Sequence, residues 1–432
     1  MTELSAATLT HRLSDAGREL GAAAVRFEEF AQEAEQRWAP GVWRGAAREA
    51  YAAQVAAASA ATRRAAQRWR RVAADLLTLA QWLASGDVDV EEALAWVAAL
   101  TTGGSLSTKR QELDVVADRD VAHRVAVELD VAAGRTRHRD ARLDPDEESV
   151  WRNARAVDRM LHRTPGATLW TYDPEVFDGD GAVVVGVGDV RGADHQVVLA
   201  PGVGTDVSDV GAQVRRVEAV VDAAQEHGET AGWFWLGYDA PDAVADPAAR
   251  TEVRAERGGE SFARDVASLR DASPGARWTA LGHSYGATTV SYAGTRGDLD
   301  VDALVLVGAP GAGEAERVGD LGVGEVYVGR DSRDLVATLG DEGWVGKGGV
   351  GLGVDPASEE FGAIRFRAER PDRGWAPGVG EAHSGYFTPG HEALDSIGAV
   401  VAGRPDLVQV AERATDPWWR RPRDPEWSRD VE

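Results

Sequence analysis

Apolar side chains recur at alternating steps of three and four residues in the first part of the chain. Between residues 4 and 38 these apolar positions are Leu9, Leu13, Ala16, Leu20, Ala23, Phe27, Phe30, Ala34 and Trp38. A second run from Tyr51 to Leu83 has the same spacing, and Ala39-Pro40-Gly41 separates the two runs. This spacing is typical of amphipathic helices, and the Pro-Gly turn between them predicts an antiparallel helical hairpin.

The turn between the two predicted helices contains the motif Trp43-Arg44-Gly45. A W-x-G in this position resembles the WXG-type helical hairpins associated with type VII secretion, over about residues 1 to 85. The resemblance implies a helical protein partner that binds through residues 1–100. No Tyr-x-x-x-Asp/Glu export signal directly follows the second predicted helix, and a helical bundle with no export role is the alternative.

From about Thr168 the pattern changes to short β-branched and apolar runs. These runs lie at 182–187, 196–199, 231–236, 277–281, 303–307, 325–328 and 363–367. Helical stretches lie between several of them, at 207–227, 259–271, 285–295 and 391–402. Strands that alternate with helices predict an α/β fold, with a mostly parallel, doubly wound sheet covered by helices on both faces.

The change of pattern predicts three parts. An all-α helical domain at residues 1–165 includes further helical stretches at 109–134 and 146–163. An α/β domain follows at 166–403. The C-terminal tail at 404–432 contains Trp418, Trp419 and Trp427 among prolines and arginines. We expect these rings to pack onto the body of the protein, with a partner or lipid contact as the alternative.

The charge balance excludes one class of partner. The 432 residues include 47 Lys and Arg against 71 Asp and Glu, a net charge of −24. Nucleic acid repels such a polyanion, so no nucleic-acid binding is expected.

The absence of cysteine removes disulfides, cysteine-ligated zinc and thiol catalysis. The nine histidines are scattered with no H-E-x-x-H motif, and we expect neither a metal nor a cofactor. No apolar stretch is long enough to span a membrane, and polar sequence follows Met1. These features predict a protein without a transmembrane segment or Sec signal, either cytoplasmic or exported by a type VII-like route.

The sharpest chemical motif is the G-x-S-x-G of Gly282-His283-Ser284-Tyr285-Gly286. It follows a predicted strand and precedes a helix of small residues. That strand–turn–helix context is what a nucleophile elbow requires, because the tight turn exposes the serine hydroxyl at the edge of the sheet. We therefore predict Ser284 as a nucleophile.

A serine nucleophile needs a base, and two histidines follow Ser284. His383 lies in a predicted loop after the last strand, A-H-S-G-Y, from which a side chain can reach over the sheet edge. His391 opens the last predicted helix, where a capping or surface role is expected. We interpret His383 as the base, with a solvated loop histidine as the alternative.

The acid that orients the base should follow a strand between the two. Asp331 and Asp334 both follow the predicted strand at 325–328. We favour Asp334 because the next two residues, Leu335-Val336, can anchor the loop. Asp355 is a weaker third candidate, since its Asp-Pro step is typical of a turn.

An oxyanion hole needs two backbone N–H groups. We predict one from Tyr285, directly after the nucleophile, and the second from Gly202 or Val203. These two residues lie in the Gly-rich loop that follows the strand at 196–199. The loop carries no G-x-x-x-x-G-K-[S/T] motif and no lysine, which argues against a phosphate-binding P-loop.

Six motifs stand in order along the second part of the chain: L-A-P-G-V-G-T, W-L-G-Y-D-A-P, L-G-H-S-Y-G-A-T-T-V, V-L-V-G-A-P-G, D-P-A-S-E-E-F-G-A and A-H-S-G-Y. Over about residues 166 to 400 the chain resembles an actinobacterial α/β-hydrolase family long catalogued as a domain of unknown function. The resemblance implies Ser284, Asp334 and His383 as a catalytic triad, with the loop at 201–205 contributing to the oxyanion hole.

These features predict a serine hydrolase, esterase-like or lipase-like, that acts on a small-molecule or lipid ester. The alternative is a non-catalytic interaction or secretion-linked protein in which the hydrolase fold is a scaffold.

Overall fold

The computed structural model describes residues 6–36, 115–140, 145–273, 275–297, 299–339, 352–370, 379–413 and 424–429, together with short stretches between 70 and 97. Contacts divide the chain into two compact units, Met1–Leu143 and Asp144–Glu432. The helix predicted at 146–163 therefore belongs to the second unit rather than to the helical residues before it.

The first unit contains helix α1, Ala6–Gln36, and helix α2, Val115–Asp140. Leu9 and Leu13 of α1 are buried in an apolar cluster whose other members are Leu76, Leu79, Ala80, Leu83 and Ala93. Both leucines belong to the apolar face that the spacing predicts. Helix α2 continues beyond residue 134, where the sequence pattern predicts its end.

The turn that carries Trp43-Arg44-Gly45 lies outside the described residues. The WXG-type hairpin, the helical partner for residues 1–100 and the type VII route therefore stay predictions. Within the described part of the chain, every helix is too short or too polar to cross a membrane.

The second unit is built on one eight-stranded sheet. Its strands are β1 Thr168–Asp173, β2 Ala182–Val187, β3 His195–Ala200, β4 Thr230–Leu236, β5 Arg277–His283, β6 Ala303–Val307, β7 Glu325–Gly329 and β8 Ile364–Phe366. The strand order is β1-β2-β4-β3-β5-β6-β7-β8. The pairs β1–β2 and β2–β4 are antiparallel, and every other pair is parallel. The mostly parallel sheet predicted from the sequence is confirmed.

Helices accompany the sheet at α3 Pro145–Arg163, α4 Val210–Gln225, α5 Val253–Ala272, α6 Tyr285–Arg296, α7 Val379–Ser384 and α8 Glu392–Val401. Glycines let two of these layers approach closely. A Cβ on Gly232 of β4 would lie 2.5 Å from Val217 Cγ1 of α4, and one on Gly259 of α5 would lie 2.7 Å from the backbone nitrogen of Ala293 in α6. The central strands are buried along their whole length, with Trp233, Trp235 and Trp278 fully enclosed. Burial on both faces explains their near-continuous apolar runs.

The parallel strands give the sheet one edge at which their carboxyl ends meet. The loop at 201–205 leaves that edge after β3, Ser284 leaves it after β5, and the segment at 330–336 leaves it after β7. In open parallel sheets this edge is where ligands bind. The predicted nucleophile, acid and oxyanion loop therefore share one side of the sheet.

Candidate active site

Ser284 occupies a strained backbone position between β5 and α6. Its φ is 58° and its ψ is −128°, a region that side chains other than glycine rarely adopt. The turn is fixed on both sides, since Ser284 N donates to Val307 O at 3.0 Å and Ala287 N donates to Ser284 O at 2.9 Å. These bonds hold the serine in a sharp turn at the end of the strand.

The two glycines of the motif are required by close backbone contacts. A Cβ on Gly282 would lie 2.5 Å from the Cα of Ala287, and one on Gly286 would lie 2.4 Å from the carbonyl oxygens of Ala200 and Pro201. Any side chain at either position would force strand and helix apart. The turn therefore has the strand–turn–helix form predicted from the sequence.

The hydroxyl of Ser284 contacts the imidazole of His383 at 2.7 Å, measured from Oγ to Nε2. The other ring nitrogen, Nδ1, lies 2.9 Å from Asp334 Oδ2 and 3.0 Å from Oδ1. An ionised carboxylate can only accept, so Nδ1 carries the proton and Nε2 accepts from the serine hydroxyl. The sequence predicts a loop at His383, but the residue lies in the last turn of the short helix α7.

Asp334 is completely buried and accepts several hydrogen bonds. Besides His383, its carboxylate accepts from the Tyr386 hydroxyl at 2.6 Å and from the backbone nitrogens of Val336 at 2.9 Å and Ala337 at 3.2 Å. Burial alone would raise the pKa of Asp334, but the hydrogen bonds and the nearby imidazole hold this pKa below its ordinary value. The group is therefore an ionised acceptor for the imidazole.

The two other acid candidates have different partners. Asp331 accepts from Arg333 N at 2.8 Å and pairs with Arg370 Nε at 3.3 Å. Asp355 forms a buried ion pair with Arg330. Among these carboxylates it is Asp334 that contacts the imidazole of His383.

His391 begins helix α8 as its N-cap. Its Nδ1 accepts a hydrogen bond from Ala393 N at 3.1 Å. Burial lowers the pKa of His391 to about 4, so the ring is neutral near pH 7. The expected capping role is confirmed, although the residue is buried rather than on the surface.

The three predicted oxyanion residues lie around the hydroxyl. Tyr285 N belongs to the first turn of α6, where a helix offers no internal acceptor. A Cβ on Gly202 would lie 2.6 Å from Ser284 Cβ and 3.0 Å from its Oγ. Gly202, Val203 and Tyr285 line the same cavity as Ser284.

Hydrogen bonds at both ends hold the loop that carries Gly202 and Val203. The Tyr238 hydroxyl donates to Pro201 O, and Gly204 N donates to Pro241 O, each at 2.7 Å. The loop thus keeps its backbone beside the serine in the free protein.

Two residues at the site have contacts that the sequence pattern does not predict. His283 Nε2 donates to the carbonyl oxygen of His383 at 2.7 Å. Burial and the neighbouring His383 lower the pKa of His283 to about 3, which keeps its ring neutral.

Tyr386 bridges two aspartates of the segment at 330–336, because its hydroxyl donates to Asp334 and accepts from Asp331 N at 3.1 Å. The sequence indicates a role for His283 only through its position inside G-x-S-x-G, and for Tyr386 only through its position inside A-H-S-G-Y.

A cavity of about 420 Å³ lies over the serine hydroxyl. Its lining includes the apolar residues Val244, Pro310, Val336, Leu339 and Leu352. It also includes polar and charged residues, among them Thr205, Asp209, Gln213 and Arg216. The Ser284 hydroxyl therefore opens into a cavity with both apolar and ionic surface. No cluster of His, Asp and Glu in the described part of the chain has the makings of a metal site.

Comparison with known proteins finds similarity over part of the chain. Residues 177–342 match a family model described as alpha/beta hydrolase. The chain is 33% identical over 325 residues to the uncharacterized protein Rv2079 of Mycobacterium tuberculosis, which covers 67% of this chain and 48% of that protein. It is 34% identical over 180 residues to the uncharacterized protein Mb0988c of Mycobacterium bovis, which covers 39% of this chain and 66% of that protein. The chain thus spans about half the length of the first relative.

Similarity to solved structures also covers part of the chain. A cutinase of Trichoderma reesei in complex with a phosphonate inhibitor is 19% identical, over 36% of this chain and 68% of that chain, with a TM-score of 0.26. An acetyl xylan esterase is 16% identical, over 49% of this chain and 97% of that chain, with a TM-score of 0.28.

Proposed function

We propose that this chain, an α/β-hydrolase by fold, is a serine hydrolase that cleaves carboxylic esters. The proposal depends on one observation above all: Ser284, His383 and Asp334 form a continuous chain of hydrogen bonds that opens into a cavity. A nucleophile in contact with a base, and a base oriented by a buried acid, is the arrangement that activates a serine hydroxyl.

In the proposed reaction, His383 Nε2 takes the proton of the Ser284 hydroxyl while Oγ bonds to the ester carbonyl carbon. The carbonyl oxygen becomes negatively charged, and the N–H groups of Tyr285 and of Gly202 or Val203 stabilise it. The carbon–oxygen bond to the alcohol then breaks, and the alcohol leaves with the proton from His383. Water, deprotonated by the same imidazole, attacks the acyl-serine and releases the acid.

Asp334 has a positioning role in this reaction. Its carboxylate keeps the proton of the imidazole on Nδ1, which leaves Nε2 free to accept from the serine. It also stabilises the imidazolium that forms during attack. The donors from Tyr386 and from two backbone nitrogens keep the carboxylate ionised and in place.

The experiment that tests the proposal is covalent labelling with a fluorophosphonate probe, followed by peptide mass spectrometry. We expect one label, on Ser284, in the folded wild type. Ser284→Ala and His383→Ala should both abolish labelling. The matched control is Ser268→Ala, which removes an exposed hydroxyl from α5 whose hydrogen bond stays within that helix, and it should label like the wild type.

A folded wild type that takes no label would contradict the proposal and favour a scaffold role for the fold. Labelling at another serine would move the nucleophile elsewhere. Hydrolysis of a panel of 4-nitrophenyl esters of increasing chain length then shows which acyl group the cavity accepts.

A further inference from the structure

Two arginines and one aspartate supply the fixed charges in the wall of the cavity over Ser284. Asp209 directly precedes α4, Arg216 lies in the second turn of that helix, and Arg250 is exposed. Two guanidinium groups face one carboxylate, so the wall carries a net positive charge. This is unusual in a chain whose net charge is −24.

Arg216 has no carboxylate partner among the described residues. Its Nη1 donates to Gln213 Oε1 at 3.2 Å, and its guanidinium lies 5.5 Å from the centre of the Phe387 ring. Burial lowers the pKa of Arg216, an effect that nearby Asp209 partly offsets, but a guanidinium remains cationic near pH 7. A partly buried cation without a counter-ion is stabilised by an anionic ligand.

Asp209 does not neutralise Arg216 through a direct ion pair. Its Oδ2 accepts from Asp206 N at 3.3 Å, within the capping box that opens the turn before α4. Burial is the largest influence on Asp209 and raises its pKa. The carboxylate is thus committed to the helix start, which leaves the remaining donors of Arg216 for a ligand.

The position of Arg216 ties it to the reacting groups. Its charge is close enough to lower the pKa of His283, the residue before the nucleophile. The Phe387 ring on which it stacks lies 5.5 Å from the ring of His283, centre to centre. A group bound by Arg216 therefore lies in the same cavity as the ester carbonyl.

We propose that the cavity takes esters that bear an anionic group, a carboxylate or a phosphate, and that Arg216 binds this group. This inference rests on the proposed serine hydrolase function and specifies its substrate class. Apolar residues of the same lining, such as Val336 and Leu352, would contact the carbon chain between the ester and the anion. Arg250 at the rim is more exposed to solvent, so its contribution is smaller.

The test compares esters of equal chain length with and without a terminal charge. The anionic substrates are the mono-4-nitrophenyl esters of adipate, pimelate and suberate, whose chains are too long for the carboxylate to close a small cyclic anhydride on the ester, and the neutral ones are the 4-nitrophenyl esters of the simple acids of equal chain length. For the best chain length, we expect the wild type to prefer the anionic ester by about tenfold in kcat/KM, the size of one charge-assisted hydrogen bond.

Substitutions at Arg216 assign that preference. Arg216→Gln should remove the preference, measured as the ratio of kcat/KM for the anionic ester to kcat/KM for the neutral one, and Arg216→Lys should keep part of it because the charge remains. The matched control is Arg215→Gln, since Arg215 is the exposed neighbour that does not line the cavity. It loses the same charge and should keep the preference.

A binding measurement separates this inference from the proposed reaction. Calorimetry on Ser284→Ala with glutarate, and separately with inorganic phosphate, should detect binding that Ser284→Ala/Arg216→Gln loses. The tighter of the two ligands identifies the anion. Such binding without hydrolysis of any ester would support the anion site and contradict the hydrolase. Hydrolysis without an anionic preference, or a preference that Arg216→Gln retains, would overturn the role of Arg216.

Discussion

His283 holds the main chain of His383: the Nε2 of its imidazole donates a hydrogen bond of 2.7 Å to the carbonyl oxygen of that residue. The two rings lie 5.0 Å apart, centre to centre, and are tilted by 34°. Since His383 in turn accepts from the Ser284 hydroxyl, the backbone of His383 is fixed to the residue directly before Ser284. The turn thus positions both partners of the Oγ–Nε2 contact.

Replacing His283 by Phe should lower kcat about tenfold and leave KM within about twofold. The phenyl ring fills the same space but donates nothing, so His383 loses the bond that fixes its backbone and the contact with Ser284 loosens. The lost partner of a buried carbonyl should also lower the free energy of unfolding by about 1–3 kcal/mol. Steady-state kinetics and denaturant unfolding measure the two effects. An unchanged kcat in the folded variant would show that the bond does not position the base.

Replacing Ser284 by Gly should give a more stable protein than replacing it by Ala. Both variants lack the hydroxyl, but Gly adopts the positive φ of 58° without strain. We expect the Gly variant to unfold with a free energy about 1 kcal/mol higher, because relief of strain exceeds the extra backbone entropy of glycine. Denaturant unfolding of the two variants measures this difference. Equal stabilities would mean that the turn is not strained.

Replacing His391 by Asn should flatten the acid side of the pH–stability curve. The folded pKa of His391 is lowered to about 4, so below pH 6.5 the unfolded chain binds a proton that the folded chain does not. Stability is therefore lost as the pH falls from 6.5 to about 4, by about 3 kcal/mol from this residue. Asn does not titrate, yet its side-chain oxygen can still cap α8.

Unfolding by denaturant at a series of pH values measures the effect at His391. The matched control is His227→Asn, an exposed histidine, which should leave the curve unchanged. A curve of wild-type slope in His391→Asn would mean that this histidine titrates equally in both states.

Replacing Asp424 by Asn should destabilise the second unit strongly. Asp424 Oδ1 and Oδ2 each accept from Arg365 Nη2 at 2.9 Å, and Oδ2 lies 3.4 Å from Arg330 Nε. Both arginines are buried, and loss of their shared counter-ion should lower the free energy of unfolding by about 3–5 kcal/mol. Thermal unfolding measures the loss.

The control for Asp424 is Asp406→Asn, which breaks an exposed pair with Arg404 and should not shift the melting temperature. An equal shift in both variants would contradict the role of Asp424.

The chain's periodicity predicts most of the second unit. All seven predicted strand runs coincide with β2 to β8, because strands buried on both faces leave unbroken apolar runs in the sequence. Strand β1, Thr168–Asp173, is not predicted as a strand. It lies at the antiparallel edge of the sheet, where its register shifts between Leu169 and Thr171. A short, irregular edge strand leaves a weak pattern.

The candidate site also has contacts that the sequence predicts and contacts that it does not. The chain of contacts from Ser284 through His383 to Asp334 follows from a motif and from the order of residues along the chain, and both can be read from the sequence. The contacts of His283 and Tyr386 do not, because they depend on where α7 brings two backbone groups in space. The charged residues that line the cavity are also not predicted. Nothing in the apolar face of α4 indicates that Arg216 lines the cavity over Ser284.

The ion pairs of Asp424 also affect when the second unit can fold during translation. Asp424 lies 59 residues after Arg365, so a nascent chain can complete β7 and β8 long before Asp424 leaves the ribosome. Until then, the buried guanidinium of Arg365 lacks its carboxylate partner, whereas Arg330 can already pair with Asp355. The second unit should therefore mature late in translation, and ribosome-bound intermediates that end before residue 424 should be protease-sensitive around β7 and β8.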